Sequence, residues 1–172
     1  MKWVLFCLLV TPHVQAAEPS RAAIYSCLLG RSISPTVTLD ELPTHEILSQ
    51  NDYRSGYNAT YYFKVGGKDI GYAEKGDRYG IIFAHDIHMA NTAKLLIDTT
   101  VQPTAFNPSL ADWSKISDAT GQYLCASFNF EGLGRSGSFQ RVRGGYLLSM
   151  QAAKHSRKLF FVVANIDPYT EK

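Results

Sequence analysis

The sequence predicts an all-β protein, with antiparallel meanders or sheets of about eight to ten strands and at most one or two short helices. Three observations predict it. Aromatic residues make up 12% of the 172-residue chain, against a modest leucine content, and aromatic side chains favour strands. Glycine-containing turns punctuate short runs of β-forming residues. The most apolar run of the body, Lys158 to Ile166, has the length and the β-branched and aromatic content of a buried strand.

The first sixteen residues stand apart from this pattern. Lys2 supplies a positive charge, and Trp3 to Val10 is an unbroken apolar run ended by Pro12. A membrane span needs roughly 20 apolar residues, so this run is too short. Val14-Gln15-Ala16 puts small residues where a signal peptidase reads. Residues 1–16 therefore read as a secretory signal, cut after Ala16, and 17–172 as one β-rich domain. The rival, a buried N-terminal strand, ignores the charge and the cleavage site. Lipidation at Cys27 is disfavoured by bulky Tyr25 two residues before it. A domain of about 150 residues buries some 70% of its unfolded surface, enough for a core. No later apolar run is long enough to span, so no membrane association is expected after cleavage.

The segments follow in order. Ala22 to Leu29 is apolar and fits a strand or a short helix equally. Pro35 to Leu39 alternates with β-branched residues and reads as a strand. Leu42 to Asn58 is polar, with one apolar step at Ile47-Leu48. Ala59 to Val65 and Lys68 to Glu74 flank Gly66-Gly67, a hairpin signal because both turn positions can take positive φ. Lys75 to Arg78 makes the next turn, before a third strand over Tyr79 to Ala84. Asn91 to Val101 is ambiguous between helix and strand. Gln102 to Trp113 is a loop with Pro103 and Pro108 as breakers, and Ser109 with Asp112 could cap a short helix running to Ser117. Gln122 to Phe130 is a strong strand. Ser138 to Met150 is another, with a bulge or bend expected at Gly144-Gly145. Lys158 to Ile166 is expected to be central, and Asp167-Pro168 ends it.

Composition excludes several classes. With 45% hydrophobic and 19% charged residues the chain is not disordered, collagenous or a coiled coil. Seventeen basic against fifteen acidic residues leave a net charge of +2, too little to suggest a nucleic-acid partner. Of three cysteines, Cys7 leaves with the signal. Cys27 and Cys125 then form an even pair in an oxidising compartment, and a bridge is expected. It would close a loop of about 100 residues, worth at most about 4–5 kcal/mol in the chain-entropy view. A catalytic cysteine served by His45, His85, His88 or His155 is the alternative, but no nucleophile signature surrounds either cysteine.

Four patterns have a plain reading beside the chemical one. Gly132-Leu-Gly134-Arg-Ser-Gly137 has the glycine spacing of a dinucleotide loop, but a strand rather than a helix follows, so it reads as a hairpin loop that binds no nucleotide. His85-Asp86-Ile-His88 is the best metal candidate, yet on a strand the two imidazoles face opposite ways, and no metal or other cofactor is expected. Asp40, Glu41, Glu74, Asp77, Asp112 and Asp118 are scattered, and nothing pairs them for acid–base work. Arg135, Arg141, Arg143, Lys154, Arg157 and Lys158 make the C-terminal third basic, a solvated face or a docking patch for an acidic partner.

The segment built for binding is Gln102 to Trp113. It places Phe106, Leu110 and Trp113 in a loop stiffened by two prolines. Rigid loops lose less entropy on binding, and aromatic anchors dominate interface energetics. The competing view is that these side chains fold back over the core.

A signal-bearing chain of this length, with a β-rich body, two mature cysteines and the loop Asn107-Pro108-Ser109-Leu110, resembles the periplasmic immunity proteins of type VI secretion. Those that neutralise a secreted peptidoglycan amidase of the cysteine-peptidase kind are the ones it looks like. The resemblance implies a non-enzymatic inhibitor without cofactors, located in the periplasm. Its partner would be a cognate amidase effector, whose cleft the loop plugs. Ser109 would then face the amidase's Cys–His pair while Leu110, with Asn107, Pro108, Phe106 and Trp113 around it, fills the groove. The alternatives are an envelope hydrolase or metal-binding protein using His85, Asp86 and His88, and a closed β-barrel for a small ligand.

Overall fold

A computed structural model of the chain describes residues 16–44, 48–50, 56–57, 59–97, 99–130, 141–151 and 156–166. Within them lie one α-helix, α1 (Arg21–Leu29), and the strands β1 (Thr38–Glu41), β2 (Leu48–Gln50), β3 (Ala59–Val65), β4 (Lys68–Lys75), β5 (Arg78–Phe83), β6 (Asp86–Met89), β7 (Lys94–Leu95), β8 (Asp112–Asp118), β9 (Gly121–Asn129), β10 (Val142–Ser149) and β11 (Leu159–Asn165). The expected β-rich class is observed, with slightly more strands than the range read from the sequence. The signal segment, except Ala16, and the glycine-rich motif Gly132 to Gly137 lie outside the described residues.

The strands form two open sheets. One has six strands in the order β1-β8-β9-β10-β11-β7, the other five in the order β2-β3-β4-β5-β6. All pairs are antiparallel except β7, which runs parallel to β11. Alternation along each strand sorts the side chains into layers. On β9, Tyr123 and Cys125 face α1, while Leu124, Ala126 and Phe128 face the five-stranded sheet. On β11, Phe160 and Val162 join the helix layer, and Leu159 and Phe161 the layer between the sheets. The six-stranded sheet is thus buried on both faces, which is why its inner strands are apolar at consecutive positions.

The ambiguous Ala22–Leu29 stretch is helical because both its ends are capped. The Ser20 side chain accepts from the Ala23 amide at 3.1 Å, and Gly30 closes the helix at φ 64°. Ala23, Ile24, Cys27 and Leu28 form one buried face. Cys27 is bridged to Cys125 on β9, across 98 residues of sequence, as expected.

Three expectations need correction. Asn91–Val101 is neither helix nor full strand: a 3-10 turn at Ala90–Thr92 leads into the two residues of β7. β11 is not central, because β7 lies outside it, and the middle of the sheet is β9 and β10. The run through Gly144-Gly145 carries no bulge; β10 keeps unbroken register with both β9 and β11. Those glycines answer packing rather than bending. A Cβ on Gly144 would stand 2.7 Å from the Phe128 ring, and one on Gly145 would stand 3.0 Å from Leu28.

Candidate functional site

Two places presented candidate residues in the sequence: the loop over Gln102–Trp113 and the segment His85–His88. The structure builds them differently.

The loop enters the gap between the two sheets. From β10, the Tyr146 hydroxyl donates to the Thr104 carbonyl at 2.7 Å. From β4, Tyr72 meets the Phe106 ring edge-on, with centroids 4.9 Å apart. Phe106 stacks flat on Phe128 of β9, at 4.6 Å and 5° between planes. Burial pushes the Tyr146 and Tyr72 hydroxyls well above the usual tyrosine range. Trp113 is 4% exposed; its indole N–H donates to the Pro108 carbonyl at 3.1 Å, and its ring meets Phe63 edge-on at 5.7 Å. Phe106 and Trp113 therefore do fold back over the core, and Pro108 is buried with them.

What remains outside is the tip. Pro108–Leu110 is a 3-10 turn whose start is capped by Asn107: its side-chain oxygen accepts from the Ser109 amide at 3.0 Å. The helix expected from Ser109 to Ser117 does not form. Asp112–Asp118 is instead β8, hydrogen-bonded on one side to β1 and on the other to β9. Two ladders and the burial of Trp113, Ser114 and Ile116 outweigh one local cap. Asp112 turns away from Ser109 to Arg143, with Nη2 and Oδ2 2.5 Å apart. Asn107 and Ser109 are exposed, and Leu110 is 61% exposed. Leu110 and Val101 are the large hydrophobic side chains left in solvent among the described residues. Of the six residues the sequence nominated, three anchor the loop and three are presented by it.

Beside Leu110 opens a cavity of about 250 Å³, walled by Phe106, Phe128 and Phe130 with Asn107 and Asn129 among its lining. Arg143 Nη1 donates to the Asn129 oxygen at 3.1 Å and Nη2 to the Ser127 hydroxyl at 2.9 Å. Phe128, Phe130 and Asn129 were missed as site candidates. Period-2 alternation does place Phe128 and Phe130 on one face, but nothing local says that the loop leaves a gap over them.

The histidine segment is a turn and an edge strand. Ala84 and His85, at φ 50° and 71°, connect β5 to β6. Asp69, 1% exposed, holds this turn. Its carbonyl accepts from the Ala84 amide at 2.8 Å, and its carboxylate meets His85 Nδ1 at 2.7 Å and Lys64 Nζ at 2.6 Å. Hydrogen bonding to Asp69 raises the Lys64 pKa above its ordinary value. Asp86 pairs instead with Arg157, whose guanidinium lies over the Phe83 ring at 4.8 Å. His88 sits opposite Ile81 in the sheet. No group of three His, Cys, Asp or Glu among the described residues could hold a metal ion. No helix among the described residues is long and apolar enough to cross a membrane.

No family model, no curated protein and no solved structure matches this chain.

Proposed function

We propose that the protein is a periplasmic immunity protein that binds a type VI secreted peptidoglycan amidase of the cysteine-peptidase kind and occludes its active site with the turn Asn107–Leu110. The observation that carries this reading is Leu110. An apolar side chain 61% exposed, on a turn capped by Asn107 and pinned through Trp113, has no work inside the molecule and is held ready for a partner. Preorganisation of this kind cuts the ordering cost of association. Ser109 sits at the tip. A hydroxyl there can hydrogen-bond an imidazole while offering no peptide carbonyl for attack. The protein acts by binding alone, with no catalytic residue and no cofactor of its own. The Cys27–Cys125 bridge supports an oxidising compartment.

The test is calorimetry with the cognate amidase. Ser109→Arg enlarges the tip in the partner's cleft and should abolish measurable binding. Leu110→Ala should weaken binding by about 2 kcal/mol, the size expected of an interface anchor. Unchanged affinity in both variants moves the interface elsewhere. A second reading, an envelope hydrolase, draws on one feature: a buried Asp69 orienting an exposed His85. Release of peptidoglycan fragments by the wild type, lost in His85→Ala, would favour it.

A further inference from the structure

We infer that the Thr99 hydroxyl is an edge guard: it closes the outer edge of β11 against strand addition by a second copy of the chain. The inference stands apart from the inhibitor reading and goes beyond it.

The need for a guard lies in β11 itself. Leu159–Asn165 is seven residues long, with two phenylalanines, two valines, no charge and no proline. Identical segments of that kind pair with one another where their edges meet. The two ends of the six-stranded sheet meet this hazard differently. At one end β1 presents Asp40 and Glu41, both exposed, and their like charges repel a second copy. At the other end β7 covers β11 by two pairs, Lys94 with Phe160 and Leu95 with Phe161. Val163 and Ala164 lie past that cover and are half-buried, and Asn165 is exposed.

Beyond Leu95 the chain leaves the ladder. Leu96 still donates its N–H to the Phe161 carbonyl at 2.9 Å. A parallel strand running straight on would next offer the Leu96 carbonyl to the Val163 N–H. That carbonyl instead accepts from the Thr99 amide at 3.2 Å, because Ile97 takes φ 51° and turns the chain aside. A β-branched residue rarely enters that region, so the turn is held under strain. Thr99 then does the work of the missing strand. Its Oγ1 accepts from the Val163 N–H at 3.2 Å and lies 3.5 Å from the Val163 carbonyl oxygen. A hydroxyl both accepts and donates, so one side chain stands in for the two backbone groups of a strand residue. A strand in that place would present a fresh edge of its own. A side chain presents none, and the ladder stops there.

The test compares the mature wild type with Thr99→Val, which keeps the shape and loses the hydroxyl, and with Thr99→Ser, which keeps the hydroxyl. Amide exchange is read residue by residue by NMR, and association by sedimentation, both over a dilution series. The wild type should stay monomeric, with the Val163 amide protected throughout. In dilute Thr99→Val the Val163 amide should exchange at least about tenfold faster while the amides of β9 stay unmoved. On concentration that variant should associate, and Val163 should regain its protection as the second copy takes the place of the hydroxyl. Thr99→Ser should behave as the wild type. Should Thr99→Val loosen β9 as well, Thr99→Ala gives the same comparison. Association of the wild type, unmoved Val163 exchange in the variant, a variant that stays monomeric, association that leaves Val163 fast, or a serine that does not restore the wild-type behaviour each overturn the inference.

Discussion

The loop tip at Asn107–Leu110 and the turn at Ala84–His85 are both exposed, both tightly held, and both were candidates for function. They differ in where the exposed side chain's partner lies. At the turn, His85 is exposed at 64% of its side chain, yet its Nδ1 is committed to the buried carboxylate of Asp69 in the same molecule. At the tip, Leu110 is exposed to a similar degree, and the bonds that hold the turn run through Asn107, Pro108 and Trp113. One exposed group works for the fold; the other is carried by it. Exposure marks a binding residue only when the fold makes no use of it.

Breaking the support of the tip should have the largest effect. Trp113→Ala removes a buried ring packed against Phe63 and Phe106, and should cost about 3–5 kcal/mol. For a domain of this size that is a fall in Tm on the order of 10 °C, read by calorimetry. A change of a degree or two would mean that the tip does not lean on the core. Next comes Asp69→Ala, which strips the buried carboxylate from Lys64 and His85 and leaves the backbone bond to Ala84 in place. A loss of about 1–3 kcal/mol in urea unfolding is expected, with amidase affinity unmoved. A drop in affinity instead would make the turn part of the interface.

His85→Gly sharpens the same contrast. It removes the bond to Asp69 but also relieves a positive φ that an L side chain tolerates poorly, so the net change should stay within about 1 kcal/mol. A larger loss would show that the imidazole does more for the fold than hold its turn. The smallest effect on stability belongs to Leu110→Ala, within about 0.5 kcal/mol by thermal melt, because the side chain packs on little. Its measurable consequence lies in binding.

The first hairpin was readable because its signals are local. Gly66-Gly67 takes φ 55° and 75°, as the dipeptide demands, and the flanking strands pair from Ala59↔Glu74 to Val65↔Lys68. The third hairpin, β5 to β6, uses the same kind of turn with Ala84-His85, which no turn rule would choose. It forms because Asp69, sixteen residues from His85 and on a neighbouring strand, receives it, and that is information of tertiary origin. The same limit explains the helix expected after Ser109. A local capping pair was visible, whereas the two strands that claim Asp112–Asp118 come from β1 and β9. The loop Gln102–Trp113 was legible as a loop and as an apolar one. Which of its apolar residues turn inward depends on Tyr72, Phe128 and Tyr146, and the sequence does not place these beside it.

The bridge between Cys27 and Cys125 governs how assembly can fail. Of the three cysteines in the chain, Cys7 lies in the segment expected to be cut away. The remaining two have only each other within one molecule, so a single connectivity exists and no reshuffling of wrong pairs is required. The one covalent error left is capture by a second molecule. Cys27 is synthesised first and waits while the 98 positions to its mate follow. During that wait an unpaired thiol is open to thiols on neighbouring chains, and the density of those chains decides between the monomer and a cross-linked pair. Yield of the correct product should therefore fall with expression rate rather than with oxidant strength.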